Sequence, residues 1–256
     1  MSKIIFEKVS KVYRNLSKDR HIQALNNVSF SVNESEIVVL IGPSGCGKST
    51  ILNMIAGFIF PTAGRVLFNG SPVSAPGAER TIIFQEYALF PWYTVKKNVE
   101  FGLAAKGMSK NERSKLADEL LYLVRLEHVA NFYPYQLSGG MKQRVAIVRA
   151  LVVEPEVLLM DEPFGALDAQ TRNFLQRYLL KVWNLKKTTI VYVTHSIEEA
   201  LTLGHKILVL SRQPARIIEE IEIKSPFPRD HFRDTELQKM KYGIGRMLQA
   251  ELKRSK

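Results

Sequence analysis

Short apolar runs open the chain at Ile4 to Phe6, Val28 to Val32 and Ile37 to Ile41, divided by polar turns such as residues 33–36. Short β-rich runs bounded by polar turns predict strands. The spacing predicts a helix over 50–56, then extended segments at 65–68 and 81–84. From about Val95 to Ala130 the period becomes helical, with Leu116, Leu120, Leu123 and Val124 assigned to one face of an inserted helical unit. The pattern then returns to strands alternating with helices. Strands are expected at Val157 to Met160, Thr189 to Val193, 206–210 and 216–223, and helices at 169–187 and 197–203. Such alternation argues for a mostly parallel sheet covered on both faces. Beyond Ser225 to Pro228 an amphipathic helix is expected from about Asp234 to Leu252. Leu237, Met240, Ile244, Leu248 and Leu252 stand at helical spacing there, on a face expected to pack on its own domain.

At 256 residues and 46% hydrophobic, the chain can bury a sizeable core. It contains no run of the roughly 18 apolar residues that a membrane span needs. The run Ala146 to Val153 is interrupted by Arg149. Residues 1–7 read as a strand and lack a secretory signal's apolar region, so a cytoplasmic location is expected. The net charge of +11 suits either nucleic acid or an anionic membrane surface. Because the cations are scattered and no nucleic-acid motif is present, no nucleic-acid partner is expected. A single cysteine, Cys46, rules out an internal disulfide.

Chemistry enters with the nine residues after the strand 37–41: Gly42, Pro43, Ser44, Gly45, Cys46, Gly47, Lys48, Ser49 and Thr50. Strand, glycine-rich turn and helix in this order form a cradle for a nucleoside triphosphate. The glycines let the backbone curl round phosphates and aim N–H groups inward, at a helix N-terminus that favours negative charge. Lys48 is placed to reach the β- and γ-phosphates, Ser49 to ligate Mg²⁺, and Thr50 to touch the α-phosphate. Cys46 reads as a small filler rather than a nucleophile, and its alkylation is expected to block the cradle by bulk. No Asn-Lys-x-Asp base-reading motif is present, which favours ATP over GTP.

The strand 157–160 ends in Asp161 and Glu162, where ligands collect in open α/β sheets. Asp161 fits a partner of Mg²⁺ through water, and Glu162 a general base for the attacking water. Ser138, Gly139 and Gly140 precede a helical stretch running to Leu151, so Ser138 can cap it and leave a second anion-seeking helix end. Two such ends in one chain suggest that two copies face each other.

Together these motifs resemble the ATP-binding subunit of ABC transporters, over residues 3–223, with Leu137 to Gly140 matching that family's signature. The resemblance implies an α/β fold with a P-loop, RecA-like core, a mostly parallel sheet, an antiparallel β subdomain and a helical insertion. It sets an ATP-binding domain at 1–225, an inserted subdomain at about 87–150 and a helical tail at 226–256. It further implies a head-to-tail homodimer holding two ATP molecules with Mg²⁺. Each ATP would lie between one subunit's phosphate loop and the other's Ser138, Gly139 and Gly140. By the same resemblance, Tyr13 stacks on adenine and Gln85 touches Mg²⁺ and the attacking water. Asp168 lies in a loop crossing the interface, and His195 contacts the γ-phosphate. Taken alone, a strand tyrosine or a strand-end histidine is more often structural. Met141 departs from the family, which commonly has Gln there, so a modest loss of affinity is expected.

Hydrolysis must be coupled to something. Tyr87, Leu89, Phe90, Trp92 and Tyr93 form either a core plug or, as the family favours, a groove for an integral membrane permease. Residues 89–92, 210–217 and 226–229 resemble importers of nitrate, sulfonate and taurine, which act with a solute-binding protein. The implied role is an importer ATPase on the cytoplasmic face of the inner membrane. The alternatives are an ATPase of a lipoprotein-release or cell-division envelope complex and a soluble non-transport ABC ATPase.

Overall fold

Two strands of unusual length begin the fold, β1 (Ser2–Asn15) and β2 (Arg20–Asn33), followed by β3 (Ile37–Ile41), α1 (Lys48–Ala56), β4 (Ala63–Phe68), β5 (Ser71–Pro72) and β6 (Arg80–Ile83). Then come α2 (Val95–Ala105), α3 (Lys110–Leu123), α4 (Gly139–Val152), β7 (Val157–Asp161), α5 (Ala169–Lys186) and β8 (Thr189–Thr194). The chain finishes with α6 (Ile197–Leu203), β9 (Lys206–Leu210), β10 (Ile217–Glu222) and α7 (Thr235–Lys253). This computed structural model describes residues 1–15, 20–84, 87–165, 167–230 and 233–253.

The larger sheet runs β10-β9-β3-β8-β7-β6, with β10 antiparallel to β9 and every other pairing parallel. All residues of β3, β8 and β9 are buried, which is why these strands are continuous apolar runs instead of alternating ones. In register, Ile41 lies opposite Thr194 and Asp161 opposite Val193. The carboxyl ends of β3, β8 and β7 therefore open side by side on one edge.

The smaller sheet, β2-β1-β4-β5, is antiparallel. Its inward side chains include Ile4, Phe6, Val28 and Phe30, and the Phe6 and Phe30 rings stack with centroids 4.4 Å apart. They share a core with α1 and one face of the larger sheet. A second core on the opposite face takes Leu175 and Leu179 of α5, Leu201 of α6, and Leu237 and Ile244 of α7. A third lies among the helices, from Val95, Val99, Leu121, Val145 and Val148. Helix α4 bridges these last two, sending Ile147 into one and Val145 and Val148 into the other.

The structure corrects several sequence expectations. Leu123 is 47% exposed, because the buried face of α3 follows Ala117 and Leu121, and a residue two positions past Leu121 points away. Leu252, at the end of α7, is 58% exposed, while Met240 and Leu248 pack against the core. Strand β6 stops at Ile83, leaving Phe84 outside it.

Candidate nucleotide site

The phosphate loop joins β3 to α1. Gly42 is buried against Leu210 and Cys46, and Ser44 and Gly45 face solvent. Gly47 takes φ 117°, and a Cβ there would meet Leu25 at 2.9 Å, so no other residue fits this position without displacement. Helix α1 has no side-chain N-cap and no acidic residue in its first turn. By contrast α2, α3, α4, α5 and α6 are capped by Thr94, Ser109, Ser138, Asp168 and Ser196. The N-terminus of α1 is thus left open to an external anion.

Within the loop, Lys48 is 6% exposed, and its Nζ donates to the carbonyls of Gly42 (2.8 Å) and Pro43 (2.9 Å). Ser49 is exposed beside Asp161 and hydrogen-bonded to it. Asp161's carboxyl is raised above its ordinary range, first by burial, while Ser49 pulls it down and the neighbouring Glu162 pushes it up. The Cys46 side chain turns into the core, 1% exposed, and burial raises its thiol. This agrees with its reading as a small filler, and a reagent must displace core packing before its bulk could block the cradle.

Glu162 follows β7 with φ 46°, a left-handed conformation that costs a non-glycine residue roughly 1–2 kcal/mol. Its backbone N–H still donates to Val193 of β8, at 3.0 Å. This turn swings the carboxylate toward the end of β8, where Oε2 lies 3.0 Å from Nδ1 of His195. Its side chain is 22% exposed and that of His195 64%, so a half-sheltered carboxylate meets an imidazole standing in solvent.

Tyr13, 39% exposed, sets its hydroxyl 3.4 Å from that of Thr50, beside the phosphate loop, and the Lys11 ammonium lies 5.2 Å over its ring. Ser138 and Gly139 are exposed at the start of α4, where Ser138 accepts from Met141 N–H. A Cβ on Gly139 would come within 2.9 Å of the Tyr87 hydroxyl, and one on Gly140 within 3.4 Å of Leu167. The side chain of Met141 packs on the helical core. Asp168 accepts from Thr171 N–H at 2.9 Å, and that bond holds its carboxyl below the usual range. Gln85 lies outside the described residues. In one chain, then, contacts join Tyr13 to Thr50, Ser49 to Asp161 and Glu162 to His195, while the neighbours of Ser138 to Gly140 are Met141, Tyr87 and Leu167.

The segment after position 86 is divided, with Leu89 packed on the helical core and Tyr87, Phe90 and Tyr93 half-buried. Trp92 is 67% exposed and Phe101 44%. Fully buried Asn98 pins the loop, accepting from Phe90 N–H and donating to the carbonyls of Phe90, Tyr93 and Thr94. Arg149 stacks over Phe90. A cleft of about 340 Å³ opens beside it, lined by Phe84, Ala88, Phe90, Phe101 and Arg149 among others.

A phosphate loop and two adjoining strand ends carrying acid and imidazole, on a sheet backed by an antiparallel layer and a helical unit, define a P-loop ATPase of the cassette type. The chain belongs to the ABC transporter family, whose model matches residues 25–165, and it is a nucleotide-binding ATPase subunit of a transporter. It is 50% identical over 228 residues to an uncharacterized ABC transporter ATP-binding protein of Methanocaldococcus jannaschii, covering 89% of this chain and 85% of that one. It is also 50% identical over 206 residues to the taurine import ATP-binding protein TauB of Chromobacterium violaceum, covering 80% and 78%. Among solved structures, the dimeric, post-hydrolysis ATP-binding cassette MJ0796 bound to ADP and Pi superposes with a TM-score of 0.79. That match is 35% identical, over 87% of this chain and all of that one. Among the described residues, no helix is long and apolar enough to cross a membrane.

The signature serine and the phosphate loop were legible as motifs. Glu199, Tyr192, Thr194 and Arg172, which surround the His195 turn, were not. Tyr192, Thr194 and Glu199 meet through the turn from β8 to α6, and Arg172 reaches them from α5, a packing that no motif signals.

Proposed function

We propose that this chain drives import of a small anionic or zwitterionic solute of the sulfonate and taurine kind. Two copies would clasp two ATP molecules head to tail on the cytoplasmic face of the inner membrane. The observation that carries the catalytic reading is the 3.0 Å contact between Glu162 and His195 beside the open end of α1. Support for the solute class comes from relatives named for taurine import, 44–50% identical to this chain. The dimer is proposed by analogy with the dimeric cassette MJ0796.

In this reading Tyr13 stacks on the base, Lys48 exchanges its loop carbonyls for the β- and γ-phosphates, and Thr50 reaches the α-phosphate. Pro43, Ser44, Gly45, Cys46 and Gly47 contribute backbone around the phosphates. Glu162 orients a water and takes its proton, held by His195, which also faces the γ-phosphate. Ser138, Gly139 and Gly140 of the second copy close the site with a helix end, next to that copy's Asp168.

The donors suit Mg²⁺. Ser49 and Asp161 offer hard oxygens, hydrogen-bonded to each other, and no group of three or more His, Cys, Asp or Glu forms a metal cage among the described residues. Mg²⁺ usually takes one or two protein ligands and completes its shell with phosphates and water. When bound, it would neutralise charge on the phosphate oxygens. Gln85 is proposed as a further ligand from the family resemblance alone.

The cleft beside Phe90 and Phe101 is proposed as the seat of the permease, with a solute-binding protein acting through that permease. We also propose an ATP-binding unit at 1–225 with a helical insertion at about 87–150 and a tail from 226. The test is complementation. Expressed in a bacterium lacking its own taurine import ATPase but keeping the permease and binding protein, the chain should restore uptake of labelled taurine. Restored ATPase without uptake, across taurine, alkanesulfonates and nitrate, would defeat the solute assignment while leaving the ATPase intact.

A further inference from the structure

Behind the His195 turn sits a carboxylate that ATP chemistry does not directly need. Glu199, on α6, is 6% exposed, and its Oε2 accepts from Tyr192 Oη at 2.8 Å and Thr194 Oγ1 at 2.7 Å. A buried carboxylate is retained only where its neighbours satisfy it. Tyr192 is fully buried, and burial together with Glu199 drives its hydroxyl well above its ordinary value, so it remains a donor throughout the working pH range.

The Thr194 hydroxyl spends its proton on Glu199 and so has a lone pair facing Ser196 N–H, which donates to it at 3.0 Å. Ser196 Oγ in turn accepts from Glu199 N–H at 3.3 Å, closing a ring of bonds around residues 194–199. His195 lies inside that ring. Its backbone is thereby held on both sides, while its imidazole reaches out to Glu162.

The other oxygen faces the second turn of the site. Arg172 Nε stands 3.7 Å from Glu199 Oε1, an ion pair too long to be a hydrogen bond, and that Nε is buried with no hydrogen-bond partner. The same guanidinium donates from Nη2 to Leu167 O at 2.9 Å, and the Arg172 backbone N–H bonds Asp168 O at 2.9 Å. One carboxylate therefore ties the turn bearing His195 to the turn leading into Asp168.

We propose that Glu199 is a positioning residue for hydrolysis, acting through Thr194 and Ser196 on His195, with Arg172 linking it to the Asp168 turn. Buried behind the turn, its carboxylate is bonded to Tyr192 and Thr194 and can act only through such neighbours. Its loss should let the imidazole drift from Glu162, and displacements on the order of 1 Å in such assemblies cost up to about 100-fold in turnover. The inference rests on the proposed role of His195.

The test is a double-mutant cycle in the full chain, measured by single-turnover hydrolysis of labelled ATP and by nucleotide binding. Glu199→Gln keeps the shape but sets an amide donor toward Arg172 or Thr194. Thr194→Val removes the leg to His195 and tests the same route should Glu199→Gln not fold. Each single variant should lower kcat about 10- to 100-fold with ATP affinity within about twofold of the parent. In a His195→Ala background each should cost less than about twofold more. Equal losses in both backgrounds, or a loss confined to ATP affinity, would overturn the proposal. If His195→Ala alone hydrolysed ATP at the parental rate, the catalytic reading of His195 would fail instead.

Discussion

Lys48 Nζ donates to the carbonyl oxygen of Gly42 at 2.8 Å, so the phosphate-loop lysine is satisfied by its own loop. In the proposed site, nucleotide binding would exchange these carbonyl partners for phosphate oxygens, with a net gain from charge assistance. Removing a charged hydrogen-bond partner costs about 1.5–3 kcal/mol, which corresponds to roughly 10- to 150-fold in affinity. Lys48→Ala should weaken ATP binding by that factor in equilibrium titration. Unchanged affinity would mean the lysine never leaves its carbonyls.

Glu162→Gln keeps the shape and the contact to His195 but cannot take a proton from water. General base catalysis supplies about 10²–10⁴-fold, so turnover should fall by that range while ATP affinity is retained. With hydrolysis blocked, ATP should hold two copies together, visible as a shift to twice the monomer mass in light scattering. Hydrolysis at the parental rate would remove Glu162 from the role of base.

Cys46 tests the phosphate loop from its inner side. Its thiol is buried and raised above the ordinary 9.0, so the thiolate that alkylating reagents need is scarce at neutral pH. Modification should be slow at pH 7.5 and accelerate only above pH 9. A folded-state value raised above the unfolded one also means that its contribution to stability is complete below about pH 9 and is lost as pH rises through the folded value. Stoichiometric labelling within minutes at neutral pH would contradict the buried placement.

Asp161 is a strained asset. Burial raises its carboxyl, so folding disfavours the ionised form, and this destabilising contribution is present at neutral pH and disappears as pH falls through the folded value. Asp161→Asn should therefore melt at a higher temperature than the parent in the absence of nucleotide, while losing Mg²⁺-dependent hydrolysis. A lower melting point would show that its bond to Ser49 outweighs its burial.

How far the sequence reached depended on the range of the interactions that set each feature. The phosphate loop, the strand before Asp161 and the Ser138 cap are local, since a few consecutive residues dictate strand, turn and helix. Strands β1 and β2 run far beyond the apolar fragments that signalled them. The positive-φ residues Lys8 and Asn27, beside register shifts, and the polar residues around them break the β-rich runs into fragments. Leu123 fell on the wrong side of α3 because several leucines compete for one stripe and packing against α2 and α4 decides among them. Glu199 was invisible for a deeper reason. An acidic residue in the first turn of a short helix is what the helix dipole favours in water, so nothing local distinguishes it from a buried hub.

The proposed sharing of a site between one copy's phosphate loop and the other copy's Ser138 can be tested directly. A Lys48→Ala copy retains a working signature surface, and a Ser138→Arg copy retains a working phosphate loop. In the proposed head-to-tail arrangement neither homodimer would hold a complete centre, but a mixed dimer would hold one, composed of the second copy's loop and the first copy's Ser138 end. With random pairing half of the dimers are mixed, and each has one centre of two, so mixing should restore up to about a quarter of parental turnover. Losing the cap at Ser138 costs only about 1 kcal/mol of helix stability, so the Ser138→Arg chain should still fold, as circular dichroism can verify. Activity equal to the average of the two separate variants would show that each chain hydrolyses ATP alone and that the exposed surface at Ser138 serves another purpose.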